Sequence, residues 1–327
     1  MRIAFIGHFQ EVGATGDMGT RAVGRHLSVE AAKRHIVQRF EIRDFRGWIR
    51  FRDFKPDILH FVLGPTTAGL MGVWLWRLPY RKVPTVISAP NPDPHVWKTG
   101  VALARPDLVL VQSEHSEHLF SSLGMRTLFL PNGVDLRRFT PVPDEEKRAL
   151  RLRYGFHQER FTILHVGPLL PSRNLSPLVN LRRAGYQVVI VGRKPADMAV
   201  HRVLTEAGCT VILDFIEQIQ EFYQLSDLYL FPVPPENRTQ CIETPLSLLE
   251  AMATNLTVLT TRFGALPRLF SDDRRGFYYF SNPSEIENLI GSLVEGDFQV
   301  NTRALVQNLS WEDVGGQLEE LYKKLPV

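Results

Sequence analysis

Cysteine is scarce in this chain, because only Cys209 and Cys241 occur among its 327 residues. Neither has the spacing of metal ligands, and their number argues against a disulfide framework and for a reducing compartment. A run of about 20 apolar residues, as a membrane-spanning helix needs, is also missing. The longest apolar run, near residues 68–78, is interrupted by Arg77. We therefore predict a cytoplasmic location, and we interpret the apolar start Met1–Gly7 as a strand and not as a signal peptide.

Charge is also limited, with a net value of +3, but its distribution is uneven. Residues 1–150 carry 21 Lys and Arg against 15 Asp and Glu, and the remainder carries 17 against 20. A basic first half favours an anionic partner or surface. Nucleic acid is not predicted, because no recognised nucleic-acid-binding motif accompanies the charge.

The segment 45–55 alternates aromatic and basic side chains in Phe-Arg-Gly-Trp-Ile-Arg-Phe-Arg-Asp-Phe-Lys. One interpretation is an interfacial patch that contacts anionic lipid, which would make the protein membrane-associated. The alternative is a short helix whose aromatic rings pack on a sheet while its arginines face solvent. We favour packing, because Gly47 and Asp53 interrupt a segment that is already short.

A glycine-rich loop follows the first predicted strand, Arg2–Ile6, and precedes a helix predicted over residues 20–34. Gly13, Gly16 and Gly19 are evenly three residues apart, so the dinucleotide-binding fingerprint is not present at its proper spacing. Such a loop can still bring the backbone close to a phosphate or a sugar, and a plain tight turn is the equal alternative.

Strand-like and helix-like segments alternate along the whole chain, which predicts parallel sheets covered by helices on both faces. Predicted strands of the first half include residues 40–43, 56–62, 85–88 and 107–111. A polar, proline-containing stretch that begins at Phe139 reads as a linker, and the alternation then restarts at Thr162. We therefore predict an α/β protein with two Rossmann-like domains that face each other across a cleft. The predicted divisions are residues 1–140, a linker at 141–160, residues 161–305, and a final helical segment at 306–327.

The stretch Glu243–Ala253 carries the strongest chemical signal. It reads as a loop and a helix start between two predicted strands, with Thr244 as the expected cap and Pro245 at the first position. The free amides and the dipole of a helix start favour a phosphate. Glu243 lies just before the helix, and Glu250 lies about two turns into it. A carboxylate pair beside a phosphate site suits a ligand with both phosphates and hydroxyls, such as a nucleotide sugar.

Several short motifs, in this order, resemble the family 4 glycosyltransferases of the GT-B fold, also called glycosyl transferases group 1. The motifs are Pro-Asp-Ile-Leu-His at 56–60, Ala-Arg-Pro-Asp at 104–107, Leu-Pro-Asn-Gly-Val-Asp at 130–135, Val-Gly-Pro-Leu at 166–169, Ser-Asp-Leu-Tyr-Leu-Phe-Pro at 226–232, Leu-Glu-Ala-Met-Ala at 249–253 and Ser-Trp at 310–311. The resemblance implies that the first domain holds the acceptor and the second holds the nucleotide sugar. It also implies that the last helix crosses back to the first domain, and that transfer proceeds with retention and without a bound metal.

The resemblance further implies roles for particular residues. Arg173 matches one residue of the basic pair that stabilises the departing diphosphate, and Glu250 matches the glutamate that accepts the ribose hydroxyls. The amides of Leu246 and Ser247 would contact the phosphates. The full set of predicted donor-binding positions is Gly13, Gly16, Arg173, Asn174, Gly192, Arg193, Phe215, Thr244, Leu246, Ser247 and Glu250. No metal ligand and no cofactor are predicted.

This chain departs from the family pattern at three places. The other basic residue of the pair is replaced by Pro168, which has neither charge nor N–H. The family's first glutamate falls on Ile242, so that Glu243 is one residue out of place. A histidine after the strand at 85–88 is missing, and Asn91, Asp93 or His95 could replace it. The predicted catalytic residues are Arg173, Glu243, Asn91 and His95.

The predicted function is therefore a retaining transfer of a hexose from a UDP- or GDP-linked donor. The acceptor stays open between a lipid, a glycan and a small molecule. Two alternatives also stay open, namely a catalytically impaired protein that binds nucleotide sugars on the same fold, and a sugar-nucleotide epimerase.

Overall fold

The computed structural model describes residues 1–9, 19–44, 47–64, 66–90, 98–194, 196–235, 242–271, 275–295 and 299–326. These residues form two parallel sheets of six strands each, covered by helices. The α/β class predicted from the alternating pattern is confirmed.

The first sheet lies entirely in the N-terminal half and has the strand order β2-β1-β3-β4-β5-β6. All its described strand pairs are parallel, so the carboxyl ends of its strands lie at one edge. Its strands are β1 (Arg2–Gly7), β2 (Ile36–Glu41), β3 (Ile58–Val62), β4 (Thr85–Ser88), β5 (Leu108–Val111) and β6 (Thr127–Phe129). The strand predicted at residues 40–43 therefore begins and ends earlier than the sequence indicated, because its pairing with β1 starts at Ile36.

The helices of this half pack on both faces of the first sheet. They are α1 (Gly19–Ala32), α2 (Trp48–Phe54), α3 (Thr67–Arg77), α4 (Lys98–Ala104) and α5 (Glu114–Ser122). In α2, Phe51 and Phe54 are buried while Arg50 and Arg52 are exposed. The preferred interpretation of the aromatic segment, packing on the sheet, is confirmed for these residues.

The second sheet has the order β12-β11-β10-β7-β8-β9, again with parallel pairs. Its strands are β7 (Thr162–Val166), β8 (Gln187–Val191), β9 (Thr210–Ile212), β10 (Leu228–Phe231), β11 (Thr257–Thr260) and β12 (Phe277–Tyr279). The helices of this half are α6 (Asp144–Arg153), α7 (Ser176–Arg183), α8 (Met198–Glu206), α9 (Gln220–Gln224), α10 (Leu246–Ala253), α11 (Leu266–Leu269), α12 (Ser284–Glu295) and α13 (Thr302–Leu305).

The last helix, α14 (Trp311–Tyr322), packs on the first half of the chain. The indole of Trp311 stacks on the His26 ring of α1 at a centroid distance of 4.5 Å. At the other end of the helix, the Tyr322 hydroxyl hydrogen-bonds Nδ1 of the buried His60 in β3. Burial of these rings against α1 and the first sheet therefore holds the end of the chain in place.

The close contact between the segment after β6 and α14 explains why position 133 is a glycine. A Cβ at this position would lie 2.6 Å from Trp311 ring atoms and 2.9 Å from the Trp311 Cα. The backbone N–H of Val134 donates to the Leu309 carbonyl at 2.8 Å beside this contact. The glycine of one motif and the tryptophan of another thus form a single packing unit.

The start of α10 differs from the prediction. Pro245 is the N-cap residue, with φ −64° and ψ 126°, and no side chain caps the helix. Thr244 is buried, and its Oγ1 has no hydrogen-bond partner among the described residues. The predicted Thr244 cap is wrong, because the extended proline conformation begins the helix one residue later than the sequence pattern indicated.

Candidate functional site

The candidate site lies at the carboxyl edge of the second sheet. The loops after β7 and β8, the end of β10 and the start of α10 all meet at this edge. Ligands on parallel α/β sheets bind at the carboxyl ends of the strands, so this is the expected place for one.

Arg173 supplies a positive charge at the end of a short 3-10 helix, Pro171–Arg173, in the loop after β7. Its guanidinium lies 5.7 Å from the centre of the Phe231 ring. Burial lowers the pKa of Arg173 to about 10, with a smaller lowering by Arg193 and an opposing effect of Tyr229. The group is therefore still charged at neutral pH, although Nε is buried without a partner among the described residues. A buried cation of this kind favours an anionic ligand.

Asn174 follows in a left-handed conformation, with φ 50° and ψ 55°. Its Nδ2 donates to the Pro232 carbonyl at 3.5 Å, and its Oδ1 accepts from the Ser176 hydroxyl at 3.0 Å. Both ends of the amide are thus engaged by the protein. In this geometry Asn174 connects the loop that carries Arg173 to the end of β10.

His165 of β7 lies beneath the same loop and was not singled out from the sequence. Its Nδ1 hydrogen-bonds the Leu230 carbonyl at 2.9 Å, so that Nδ1 carries the proton. Its pKa is lowered to about 4, mainly by burial and to a smaller extent by the charge of Arg173, while the hydrogen bond to the Leu230 carbonyl opposes this effect. The imidazole is therefore neutral, and its buried Nε2 has no partner among the described residues.

Tyr229 connects the loop after β7 to the start of α10. Its hydroxyl donates to Ser247 Oγ at 2.7 Å and lies 3.2 Å from the Val166 carbonyl oxygen. Burial raises the pKa of Tyr229, so the phenol stays protonated at neutral pH. The charge of Arg173 lowers this pKa and so opposes the effect of burial.

The helix start itself presents Leu246 and Ser247, both partly exposed. The first amides of an α-helix have no acceptor within the helix, and the helix dipole makes this end positive. An anion held by Arg173 would therefore also face these amides.

Glu250 lies one turn further along α10 and is partly exposed. Its Oε2 accepts a hydrogen bond of 2.7 Å from the hydroxyl of Tyr223, which is fully buried. Burial raises the pKa of Glu250, while the Tyr223 hydrogen bond and the charge of Arg138 lower it. A carboxylate oriented in this way can accept hydrogen bonds from hydroxyl groups of a ligand. Neither tyrosine of the site is singled out by the sequence: Tyr229 lies inside the motif at 226–232, and Tyr223 lies outside the named motifs.

The loops after β8 and β9 add three of the predicted donor-binding residues. An added Cβ at Gly192 would lie 2.3 Å from Leu169 Cδ1, so this glycine is explained by packing of the two loops. Arg193 is half-buried, and its pKa is lowered by burial and by Arg21 of α1. Phe215 exposes 65% of its surface after β9.

Glu243 lies apart from these groups, in contact with the first half of the chain. Its carboxylate accepts hydrogen bonds from the backbone N–H of Ser113 at 2.6 Å and from the Ser113 hydroxyl at 2.9 Å. The Ser116 hydroxyl donates to it as well. The structure thus does not bring Glu243 together with Arg173 and Glu250 in one ligand-binding surface.

Four predicted site residues, Gly13, Gly16, Asn91 and His95, lie outside the described residues. Among the residues that the structure does describe, no group of three or more His, Cys, Asp or Glu could hold a metal ion. In the same part of the chain, none of the helices combines the length and hydrophobicity of a membrane span.

Residues 162–295 match the model of the family "Glycosyl transferases group 1". The resemblance to this family is confirmed. The matched segment contains Arg173, Tyr229 and Glu250, and so the whole of the arrangement around α10.

Two curated relatives from bacteria agree with this match. A GDP-mannose-dependent monoacylated alpha-(1-6)-phosphatidylinositol monomannoside mannosyltransferase of Corynebacterium glutamicum is 24% identical over 239 residues, which is 67% of this chain and 63% of that protein. A D-inositol 3-phosphate glycosyltransferase of Corynebacterium urealyticum is 25% identical over 237 residues, which is 64% of this chain and 54% of that protein. The alignments thus cover more than half, but less than two thirds, of the length of each of these relatives.

Solved structures share the fold over nearly the whole chain. Sucrose-phosphate synthase of Thermosynechococcus elongatus aligns with a TM-score of 0.79 at 16% identity, over 99% of this chain and 98% of that one. HepE of Anabaena in complex with UDP and glucose aligns with a TM-score of 0.73 at 19% identity, over 99% and 100%. Together with the two parallel sheets, these matches confirm the GT-B architecture.

Proposed function

We propose that the protein is a glycosyltransferase that moves a hexose from a nucleoside diphosphate sugar to an acceptor. The observation that carries the proposal is the combination of Arg173, the start of α10 and Glu250 at one sheet edge. The first two suit a diphosphate, and the third suits ribose hydroxyls. No single one of these features is specific, but a nucleotide sugar needs all of them together.

The chemical step follows from this placement. The bond between the anomeric carbon and the diphosphate oxygen breaks, a bond to an acceptor oxygen forms, and the proton of that oxygen passes to the departing diphosphate. Negative charge develops on the departing diphosphate, and a preorganised cation together with helix-end amides stabilises it. Arg173 is the cation in this proposal, and Arg193 adds positive charge at the same edge. The proposal also includes retention at the anomeric carbon and independence of metal ions, because the family resemblance implies both.

The similar proteins suggest two candidate nucleotides for the donor, GDP and UDP. The Corynebacterium glutamicum relative is named as GDP-mannose-dependent, whereas the HepE complex contains UDP and glucose. Both bases therefore belong in the first test. The named acceptors of relatives are phosphatidylinositol mannosides and D-inositol 3-phosphate, which are anionic. An anionic acceptor, whether a lipid headgroup, a glycan or a small molecule, also fits the excess of Lys and Arg in residues 1–150.

Binding of UDP, GDP and their hexose derivatives by thermal shift and calorimetry tests the proposal. A ligand at 100 times its dissociation constant stabilises the folded state by about 2.7 kcal/mol. Arg173→Ala should weaken diphosphate binding by about 1.5–3 kcal/mol, which is roughly 10- to 150-fold in Kd. Arg183→Ala is the matched control, because Arg183 is exposed on α7 in the same half of the chain. Equal affinity in the two variants, or no binding of any nucleotide by the wild type, would refute the assigned site.

A further inference from the structure

Glu243 joins the two halves of the chain at a buried point. It precedes α10 in the second half, and its carboxylate accepts hydrogen bonds from the N-cap residue of α5, Ser113, and from Ser116 in the first turn of that helix. Oε2 accepts the Ser113 N–H at 2.6 Å, and Oε1 accepts the Ser113 hydroxyl at 2.9 Å and the Ser116 hydroxyl. Exposed fractions are 4% for Glu243, 2% for Ser113 and 0% for Ser116. The carboxylate is thus removed from solvent and bonded through both oxygens.

Burial and hydrogen bonding act in opposite directions on the charge of this carboxylate. Burial raises the pKa of Glu243, and the hydrogen bonds from Ser116 and Ser113 partly oppose this effect. The N-terminus of α5, a helix of nine residues, adds the positive end of its dipole. Three donors and a helix end are what a buried negative charge requires to be stable.

The backbone around Glu243 is fixed in the same way. The carbonyl of Thr244 accepts from Asn132 Nδ2 at 2.9 Å, and Asn132 Oδ1 accepts from Gln112 Nε2 at 2.7 Å. The carbonyl of Glu243 accepts from the Ala265 N–H at 2.9 Å. The segment that leads into α10 is therefore held between β5, the segment after β6 and the start of α11.

This segment is also the one that sets the position of the candidate donor site. Ser247, which bonds Tyr229, follows Glu243 by four residues, and Glu250 follows it by seven. A shift of the Glu243 contact would move the free helix amides relative to Arg173. It would also change how the two domains face each other.

We propose that Glu243 is a positioning residue that fixes the start of α10 and the relative orientation of the two domains, and that it does not contact the transferred sugar. The inference rests on the proposed function, since it concerns the geometry of the same donor site. It replaces the prediction that Glu243, although one residue out of place in the family pattern, is a catalytic residue.

The test compares a ligand with the sugar and a ligand without it. UDP and GDP lack the hexose, so a residue that contacts only the hexose does not affect their binding. We expect the Kd of the nucleoside diphosphate to rise roughly tenfold in Glu243→Gln, as it would if the binding-competent arrangement were populated about one tenth of the time. Ser116→Ala should raise it in the same direction, and the double variant should add little, because both substitutions break one contact. Ser122→Ala, exposed on the same helix, is the matched control.

A ligand-free measurement keeps the inference testable on its own. Amide hydrogen exchange should quicken in peptides that cover residues 112–118 and 242–248 in both Glu243→Gln and Ser116→Ala, and not in Ser122→Ala. Unchanged exchange in both segments would overturn the inference. The inference would also be overturned if Glu243→Gln bound the nucleoside diphosphate with the Kd of the wild type but had a raised KM for the nucleotide sugar. That pattern is expected of a residue that contacts the sugar. Absence of nucleotide binding by the wild type would instead refute the proposed function, and the exchange result would still decide the role of Glu243.

Discussion

Replacement of Tyr223 by phenylalanine removes a single hydroxyl that contacts Glu250, the proposed ribose-binding residue. The hydroxyl donates to Glu250 Oε2 at 2.7 Å, while the ring packs edge-on against Phe139 at 5.5 Å. The ring contact survives in Tyr223→Phe, so the fold should be retained. Glu250 loses its only buried donor among the described residues, and its carboxylate is free to turn away from the ligand.

The size of the effect follows from the type of bond. A hydrogen bond to a charged group contributes about 1.5–3 kcal/mol, and loss of part of it through misorientation of Glu250 corresponds to roughly tenfold weaker nucleotide binding. The direction with pH also follows. The proposed contact with ribose needs ionised Glu250, and the Tyr223 hydrogen bond lowers the pKa of Glu250. Removal of this hydrogen bond raises the pKa of Glu250. As the pH falls, nucleotide binding by Tyr223→Phe should therefore begin to weaken at a higher pH than binding by the wild type.

Calorimetric titration of UDP and GDP between pH 5 and 8 measures both effects. The 2′,3′-dideoxy diphosphates serve as control ligands, because they lack the hydroxyls that Glu250 would accept. Tyr186→Phe serves as control variant, since Tyr186 packs with the separate hydrophobic cluster around Phe161. The reasoning is refuted if Tyr223→Phe binds the natural nucleotide as the wild type does across this range. It is also refuted if the dideoxy ligand loses as much affinity as the natural one.

Three further substitutions test the fold that supports the site. Gly133→Ala should lower the free energy of unfolding by about 1–3 kcal/mol, because its Cβ would overlap Trp311, and chemical denaturation that shows no loss would contradict this packing. Gly264→Ala should both destabilise the protein and weaken nucleotide binding. Gly264 has φ +54°, and an added Cβ would lie 2.2 Å from the Glu243 carbonyl oxygen. Nucleotide titration and denaturation curves equal to those of the wild type would argue against this effect. Burial lowers the pKa of His60 to about 3, below the unfolded value near 6.5, so the unfolded chain binds the extra proton between these values and stability falls as the pH drops. Between pH 7 and pH 5, the free energy of unfolding should fall by about 2 kcal/mol more in the wild type than in His60→Gln. Chemical denaturation at both pH values measures this difference, and an equal fall in the two proteins would contradict a buried, neutral His60.

The architecture was predictable because its signals are local. Buried parallel strands appear as short apolar runs, such as Leu228–Phe231, and each is followed by a polar or glycine-containing loop. The order of these runs along the chain determines two sheets with helices between the strands. The start of α10 shows the limit of such local signals. Proline suits both the N-cap and the first position, and only the observed ψ of Pro245 distinguishes them.

The contacts that organise the candidate site were not predictable in this way. Glu243 and its partner Ser113 are separated by 130 positions, and no spacing rule connects them. Tyr223 and Tyr229 look like ordinary core residues, and their hydroxyls become informative only once Glu250 and Ser247 are placed beside them. The sequence could therefore indicate which residues bear suitable chemistry, whereas long-range packing determines which of them meet.

Release of free nucleoside diphosphate from a nucleotide sugar is the most direct test of the proposed transfer. Wild-type protein, Arg173→Ala and Arg183→Ala would each be incubated with UDP-glucose or GDP-mannose and a panel of anionic acceptors, and both products would be quantified by mass spectrometry. We predict that the wild type and Arg183→Ala release one nucleoside diphosphate for each hexose gained by an acceptor, and that Arg173→Ala is slower by at least roughly tenfold. A wild-type protein that binds the nucleotide sugar but releases no diphosphate with any acceptor would contradict the proposal, and an equal rate in Arg173→Ala would contradict the role of Arg173.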